Sequence, residues 1–189
     1  MQKEKIRRII VALSGASGAI YGIRLLEALQ RIKIETHLII SRWAEVTIKM
    51  ETGYLVEEVQ KLATYSYSPD NLTAPCASGS FLTEGMVIVP CSMKTLAAIA
   101  CGYVDNLVSR AADITMKEGR KLILVPREAP FNAIHLENML KLCRLGVVII
   151  PPVPAFYIKP STIDDLINHT VGKVLDGLGI DNELYERWK

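Results

Sequence analysis

Two glycines and two serines follow the first apolar segment of the chain. Residues 8–13 (RIIVAL) are rich in β-branched side chains, and Ser14-Gly15-Ala16-Ser17-Gly18 comes directly after them. Glycines let the backbone approach an anion closely, and serine hydroxyls can add hydrogen-bond donors. A helix N-terminus at this point would offer free N–H groups and a partial positive charge. The spacing therefore predicts a phosphate-holding loop between a strand and a helix.

Other ligand and enzyme classes fit this loop less well. The glycines stand at 15, 18 and 22, which is not G-x-G-x-x-G, and the second strand ends at Ser41-Arg42 instead of an acidic residue, so a dinucleotide is disfavoured. No G-x-x-x-x-G-K-[ST] motif of nucleotide triphosphatases is present. A serine-hydrolase elbow would need a glycine where Ala19 stands. A glycine turn without a ligand remains an alternative.

A hydrolase would also need a base, and the chain has three histidines. His37 stands in an apolar strand, whereas His135 and His169 stand on predicted helices. We expect structural roles for all three.

Two further polar clusters follow later strands. Pro90-Cys91-Ser92-Met93-Lys94-Thr95 opens a helix, and Pro126-Arg127-Glu128-Ala129-Pro130 brings a guanidinium next to a carboxylate. Arginine suits phosphate binding and glutamate suits proton transfer. Ordinary helix capping by Ser92 and a surface ion pair are the structural alternatives.

The elements that would position these groups alternate along the chain. Apolar strands are predicted at 8–13, 37–40, 86–89, 121–125 and 147–150, with helices at 19–31, 43–51, 93–100, 134–145 and 162–178. This alternation predicts an α/β fold, a doubly wound and mainly parallel sheet with helices on both faces. One domain over 1–189 is expected. Residues 64–85 are rich in Ser, Pro, Gly and Asn, and so long a loop is usually functional or disordered.

Composition excludes several classes of partner. Lys plus Arg (22) nearly balances Asp plus Glu (20) in 189 residues, so neither nucleic acid nor an anionic membrane is indicated. The longest apolar runs, such as 147–154, are too short to span a bilayer, and the N-terminus lacks the pattern of a cleaved signal, so a cytoplasmic location is expected. The four cysteines are widely spaced, which predicts buried free thiols and no metal site.

Taken together, these segments resemble the UbiX-like flavin prenyltransferases, which belong to a flavoprotein group that includes cysteine decarboxylases. The resemblance runs nearly end to end. It rests on an ordered series of motifs: GASGAIYG (15–22), APCASGSF (74–81), VPCSMKTLA (89–97), the segment 105–130, HLENMLKL (135–142) and FYIKPSTIDDL (156–166).

The resemblance implies an enzyme that joins the dimethylallyl group of dimethylallyl monophosphate to N5 and C6 of reduced FMN without a metal. Family members hand the prenylated FMN to UbiD-type decarboxylases and form homo-oligomers, commonly dodecamers. Two alternatives stay open: an FMN-dependent decarboxylase, and a non-catalytic flavin-carrying subunit of an aromatic-acid decarboxylase.

The resemblance also implies roles for individual residues. The FMN contacts would be Gly15, Ala16, Ser17, Ser41, Ser92, Met93, Lys94, Thr95 and Arg127. Dimethylallyl phosphate would be bound by Tyr157, Lys173, Lys117 and Arg110, and the catalytic set would be Glu128, Lys117, Ser17 and Glu51. Many relatives have arginine in place of Lys173, and several have a tryptophan where this chain reads Asn71-Leu72-Thr73.

Overall fold

A single sheet of six parallel strands forms the centre of the protein, which we describe from a computed structural model covering residues 7–188. The strands are β1 (Arg8–Leu13), β2 (Glu35–Ile40), β3 (Tyr65–Tyr67), β4 (Gly85–Cys91), β5 (Lys121–Pro126) and β6 (Val148–Ile149). Their order across the sheet is β3-β2-β1-β4-β5-β6. Successive strands therefore progress outward from β1 in one direction, and then from β4 in the other. The reversal of strand order lies between β1 and β4.

Helices cover both faces of this sheet. They are α1 (Ala19–Arg31), α2 (Arg42–Glu51), α3 (Val56–Lys61), α4 (Met93–Cys101), α5 (Leu107–Lys117), α6 (Ala133–Arg144) and α7 (Ile163–Leu178). One core cluster packs α1, α2, α3 and α7 on the sheet, and a second packs α4, α5, α6 and the short 3-10 turn Pro75–Ala77 on the other face. Because β1, β4 and β5 are buried on both faces, they read as continuous apolar runs. The predicted doubly wound fold is confirmed.

Several element predictions need correction. The polar segment 64–85 contains β3, whose hydroxyl-rich sequence YSY carries no apolar run, yet it pairs with β2 at the sheet edge. α3 and α5 were not expected, since α3 has six residues and α5 follows a polar stretch. β6 has two residues where the sequence predicted a strand over 147–150, because Pro151-Pro152 has no N–H groups to donate to a strand ladder.

The prediction of buried free thiols is correct for two of the four cysteines. Cys76 and Cys91 are buried free thiols, and burial raises the pKa of Cys76 to about 11. Cys101 and Cys143 are exposed, because each lies in the last turn of a helix beside the solvent. Among residues 7–188, no helix is both long enough and apolar enough to cross a membrane.

Gly22 allows α1 to pack directly on the sheet at the reversal of strand order. A Cβ atom at this position would lie 2.5 Å from the carbonyl oxygen of Val89 and 2.8 Å from Cγ of Leu13. Both neighbours are buried, so neither can move away freely.

We expect Gly22→Ala to lower the free energy of unfolding by about 1–3 kcal/mol, because the methyl group overpacks this contact. Urea unfolding measures the difference. Gly53→Ala is the matched control, since a Cβ at Gly53 meets nothing within 4 Å. Equal stability of the two variants would contradict the close packing.

Candidate active site

The buried Ser14 side chain joins the ends of β1 and β4. The N–H of Ser92 donates to Ser14 Oγ at 2.7 Å, and Ser14 Oγ donates to the carbonyl of Pro90 at 3.0 Å. The Ser14 N–H also bonds to that carbonyl, at 3.1 Å. In open parallel sheets, ligands bind at the carboxyl ends of strands where the strand order reverses. Ser14 therefore holds the ends of β1 and β4 together at the reversal of strand order.

The loop after β1 presents the N-terminus of α1 next to Glu51. Gly18 is the N-cap residue with φ of 101°, a left-handed conformation that glycine adopts without strain. Its N–H donates to Oε2 of Glu51 at 2.7 Å. A carboxylate therefore already lies at the anion-attracting end of this helix, as the helix dipole favours.

Gly15 has a packing role in the same loop. A Cβ at Gly15 would overlap the Cβ atom of Trp43, which begins the first turn of α2. This glycine is therefore explained by protein packing alone, as in the alternative of a plain glycine turn. The Trp43 ring itself is exposed.

The predicted hydroxyl donors act as helix caps. Ser92 Oγ accepts from the N–H of Thr95 at 3.3 Å and donates to its hydroxyl at 3.1 Å. Ser41 Oγ accepts from the N–H of Ala44 at 3.2 Å. The capping alternative is thus present in the structure. It also turns the first amides of α2 and α4 toward the carboxyl edge of the sheet, where an anion can use them.

Arg127 connects the phosphate loop to the end of β4. Its backbone N–H donates to the carbonyl of Cys91 at 3.2 Å, and its Nε donates to the carbonyl of Ser17 at 3.3 Å. Arg127 uses one of its five donors in this bond, so its exposed guanidinium keeps others for an anion.

A cavity of about 730 Å³ opens beside these groups. Its polar wall contains Ser17, Glu51, Arg127 and Glu128, all four predicted from the sequence. Its other lining residues are Gly18, Ile20, Tyr21, Pro126, Ala129, Phe131, Pro151, Pro152 and Val153. A larger cleft, of about 1050 Å³, lies at the opposite edge of the sheet around Lys33 and Asp181, where neither the glycine loop nor Arg127 reaches.

Tyr21 and Phe131 give the cavity an aromatic lining that sequence reasoning missed. Tyr21 stands one helical turn after Gly18, and burial raises the pKa of its hydroxyl. Phe131 follows the Arg127-Glu128 pair by a few residues. The helical spacing from Ser17 could have indicated Tyr21, whereas nothing in the sequence says that Phe131 turns toward α1.

The four residues expected at the prenyl phosphate make their contacts elsewhere in this chain. Lys117 pairs with Glu118 next to Gly79, just before β5 begins, and thereby holds the pKa of the Glu118 carboxyl below its usual range. Arg110 pairs with Asp113 at 3.3 Å. Tyr157 hydrogen-bonds to His169 of α7, and Lys173 lies on α7 itself, 4.0 Å from Asp176. Within residues 7–188, none of the four lines the 730 Å³ cavity.

The cavity offers the groups that a flavin mononucleotide needs. The Arg127 guanidinium on the cavity wall suits a phosphate, and the N-termini of α2 and α4 lie beside the cavity at the same edge of the sheet. The Tyr21 and Phe131 rings suit a flat, apolar ring system. The residues present therefore fit FMN.

Comparisons with known proteins agree with this fit. The profile of the Flavoprotein family matches residues 1–175. Flavin prenyltransferase UbiX of Methanocaldococcus jannaschii is 56% identical over 181 residues, 96% of this chain and 98% of that protein. The crystal structure of AnUbiX (PadA1) in complex with FMN and dimethylallyl pyrophosphate is 54% identical and matches 98% of both chains with a TM-score of 0.97. The dodecameric FMN-dependent UbiX-like decarboxylase of Escherichia coli O157:H7 is 52% identical, with a TM-score of 0.95 over 96% of this chain and 99% of that one.

The chain belongs to the UbiX-like flavin prenyltransferases. The predicted family and fold are thereby confirmed. Ser17, Glu51, Arg127 and Glu128 share one cavity, and Ser41 and Ser92 cap helices at the same edge of the sheet, with Thr95 as the partner of Ser92.

Ser14 allows a direct test of the strand junction. We expect Ser14→Ala to cost about 1–3 kcal/mol of unfolding free energy, because the Ser92 N–H would lose its buried partner. FMN affinity should fall as well, since Ser92 begins α4.

Denaturant unfolding and flavin titration measure the two effects. Ser66→Ala, at an exposed position of β3, is the control and should change neither. If Ser14→Ala left both quantities unaltered, the bridge would have no energetic role.

Proposed function

We propose that this protein is a flavin prenyltransferase, which joins the dimethylallyl group of dimethylallyl monophosphate to N5 and C6 of reduced FMN. The observation that carries the proposal is the cavity between the loop after β1 and the segments that follow β5 and β6, with a guanidinium, two carboxylates and an aromatic lining. A relative at 54% identity was crystallised with FMN and dimethylallyl pyrophosphate, and this supports the same pair of ligands here. The bound reduced flavin would supply the two nucleophilic atoms of the reaction.

Residues of the cavity and of the loops beside it would divide the work between them. The Arg127 guanidinium and the amides of α4 would hold the FMN phosphate, with Gly15, Ala16 and Ser17 passing alongside the flavin. Tyr21 and Phe131 would keep water from the five-carbon group. Ring closure at C6 consumes the C=C bond of the five-carbon group already joined to N5: one proton adds to the alkene and one leaves C6, so the net gain stays C5H8. Glu128 is a carboxylate on the cavity wall that can accept the C6 proton.

Glu51 and Glu128 are held differently, which suits different roles. Glu51 is fixed by the Gly18 N–H at 2.7 Å, whereas Glu128 bonds through Oε1 to the N–H of the next residue, Ala129, at 3.0 Å. The second oxygen of Glu128 is therefore available for proton transfer. We propose that Glu51 orients the loop and Ser17, and that Glu128 is the base.

We infer that the prenyl phosphate is held partly by other copies of the chain. Lys117, Arg110, Tyr157 and Lys173 supply positive charge and a hydroxyl that would stabilise the departing phosphate, but they do not line the cavity of their own chain. The E. coli relative is described as dodecameric, which supports a homo-oligomer, with a dodecamer as our proposal for its size. The face of α6 supports this too, since Ile134, Leu136 and Leu140 are exposed although apolar.

We further propose that the product serves a UbiD-type decarboxylase, as the family resemblance implies. The four free cysteines suit a reducing compartment, which supports a cytoplasmic location.

Anaerobic incubation with reduced FMN and dimethylallyl phosphate should add one C5H8 unit to the flavin, as measured by mass spectrometry. A parallel reaction with dimethylallyl diphosphate identifies the preferred donor. Flavin of unchanged mass with both donors would refute prenyl transfer and leave a decarboxylase or a flavin carrier.

Glu128→Gln should retain FMN within about twofold of wild-type affinity but slow prenylation by about 100-fold or more, because the amide cannot accept the proton. Flavin titration and single-turnover mass spectrometry measure these quantities. Glu57→Gln, at an exposed position on α3, is the control. Normal turnover of Glu128→Gln would remove Glu128 from the mechanism.

Mixed assemblies test whether the site is shared. Lys117→Met and Glu128→Gln should each be inactive alone. Co-expression in equal amounts should restore activity at about one quarter of the sites, since each active site then takes its intact Lys117 and Glu128 from different copies. No recovery in co-assembled oligomers would place both residues in one chain's site.

A further inference from the structure

Tyr157 lies in the segment between β6 and α7, where 151–162 form no regular helix or strand. Its side chain is 44% exposed, and its hydroxyl lies 3.0 Å from Nε2 of His169. In the described chain this is the one side-chain hydrogen bond that Tyr157 makes. His169 therefore determines where the hydroxyl points.

Aromatic contacts hold this pair from both sides. The Tyr157 ring meets His169 edge to face at 5.7 Å and Trp188 at 5.6 Å, while His169 meets Tyr185 at 4.8 Å. The C-terminal segment thus packs along α7 and contacts both the tyrosine and the histidine. Edge-to-face contacts of this kind favour particular ring orientations.

Asp176 anchors that segment to α7. It accepts from Tyr185 Oη at 2.6 Å, from Arg187 at 2.8 and 3.2 Å, and from Asn182 at 2.9 Å. Burial and the bond to Asp176 raise the pKa of Tyr185 to about 12, so the hydroxyl stays a donor. The Lys173 ammonium lies 4.0 Å from Oδ2 of Asp176 and is half exposed.

His169 and Lys173 are one turn apart on α7 and share one face. Burial lowers the pKa of His169, and the Lys173 ammonium lowers it further. The imidazole is therefore neutral near pH 7. A neutral imidazole with an Nε2 proton donates to the Tyr157 oxygen and leaves the tyrosine hydroxyl free to donate to an anion.

We propose that His169 is the positioning residue of Tyr157, holding its hydroxyl beside the Lys173 ammonium so that both donors meet one phosphate. The inference rests on the proposed function, which gives Tyr157 and Lys173 the prenyl phosphate to bind. It assigns His169 a role in donor binding, where the sequence indicated a structural role.

The test is steady-state prenylation by the intact oligomer with reduced FMN and varied dimethylallyl phosphate. His169→Phe keeps an aromatic ring against Tyr185 but removes Nε2. KM for the donor should rise about fivefold to tenfold while kcat stays within about twofold, because the ground-state contact is weakened. His169→Gln, which offers an amide near the position of Nε2, should restore most of the affinity.

A double-mutant cycle with Tyr157→Phe separates positioning from packing. If His169 acts through the tyrosine hydroxyl, His169→Phe should raise KM no further in the Tyr157→Phe background. Tyr103→Phe, at an exposed tyrosine without aromatic partners, is the control for the tyrosine change.

Failure of the positioning role can be distinguished from failure of the proposed function. An unchanged KM in His169→Phe, additive effects in the double variant, or no rescue by glutamine would overturn the positioning role while wild-type product formation upholds prenyl transfer. A wild-type protein that makes no prenylated flavin would overturn the proposed function and this inference together.

Discussion

β1 is paired in parallel with β2 on one side and β4 on the other, and every group of the site depends on that pairing. The helices that follow β1 and β4 lie on opposite faces of the sheet, so their N-termini diverge and leave an opening at the carboxyl edge. Ser14 closes the base of this opening by bonding to both Pro90 and Ser92. The backbone groups that we propose for a phosphate therefore have positions that the buried sheet holds fixed.

The charged side chains Glu51 and Arg127 of this opening already have backbone hydrogen-bond partners. The Glu51 carboxylate accepts a hydrogen bond from the N–H of Gly18, and Nε of Arg127 donates to the carbonyl of Ser17. These bonds orient the two side chains before any ligand arrives, which lowers the entropic cost of organising the site. Within residues 7–188, the Glu128 carboxylate accepts one hydrogen bond, from the N–H of Ala129, and its second oxygen is the one that we propose for proton transfer.

The two lysines that we propose for a second phosphate lie apart from this opening. Lys117 stands at the opposite end of β5, and Lys173 stands on the exposed face of α7. A cation that is not buried by its own chain costs little in folding, since it stays hydrated. Its electrostatic effect on a departing phosphate becomes strong once another surface excludes water. Assembly of several copies would supply that exclusion, and the exposed apolar side chains of α6 offer a surface for it.

The sequence by itself determined the sheet and the polar loops at its edge. Continuous apolar runs can be buried on both faces only in a covered parallel sheet, and the turns after β1, β4 and β5 therefore meet at one edge. The family resemblance followed from the ordered motifs. Local patterns also indicated that Ser17, Arg127 and Glu128 lie in the segments after β1 and β5, and these three residues line one cavity.

The tertiary structure alone decided which side chains meet. Glu51 ends α2 yet reaches Gly18, and Phe131 joins Tyr21 in one cavity, through contacts between residues far apart in the chain. β3 exists because β2 offers an unpaired edge, although its own sequence has no strand signal. Likewise, His169 is tied to Tyr157 by the packing of α7 against the segment before it and the C-terminal residues after it. Spacing along a chain specifies local geometry, whereas such contacts depend on how separate elements pack together.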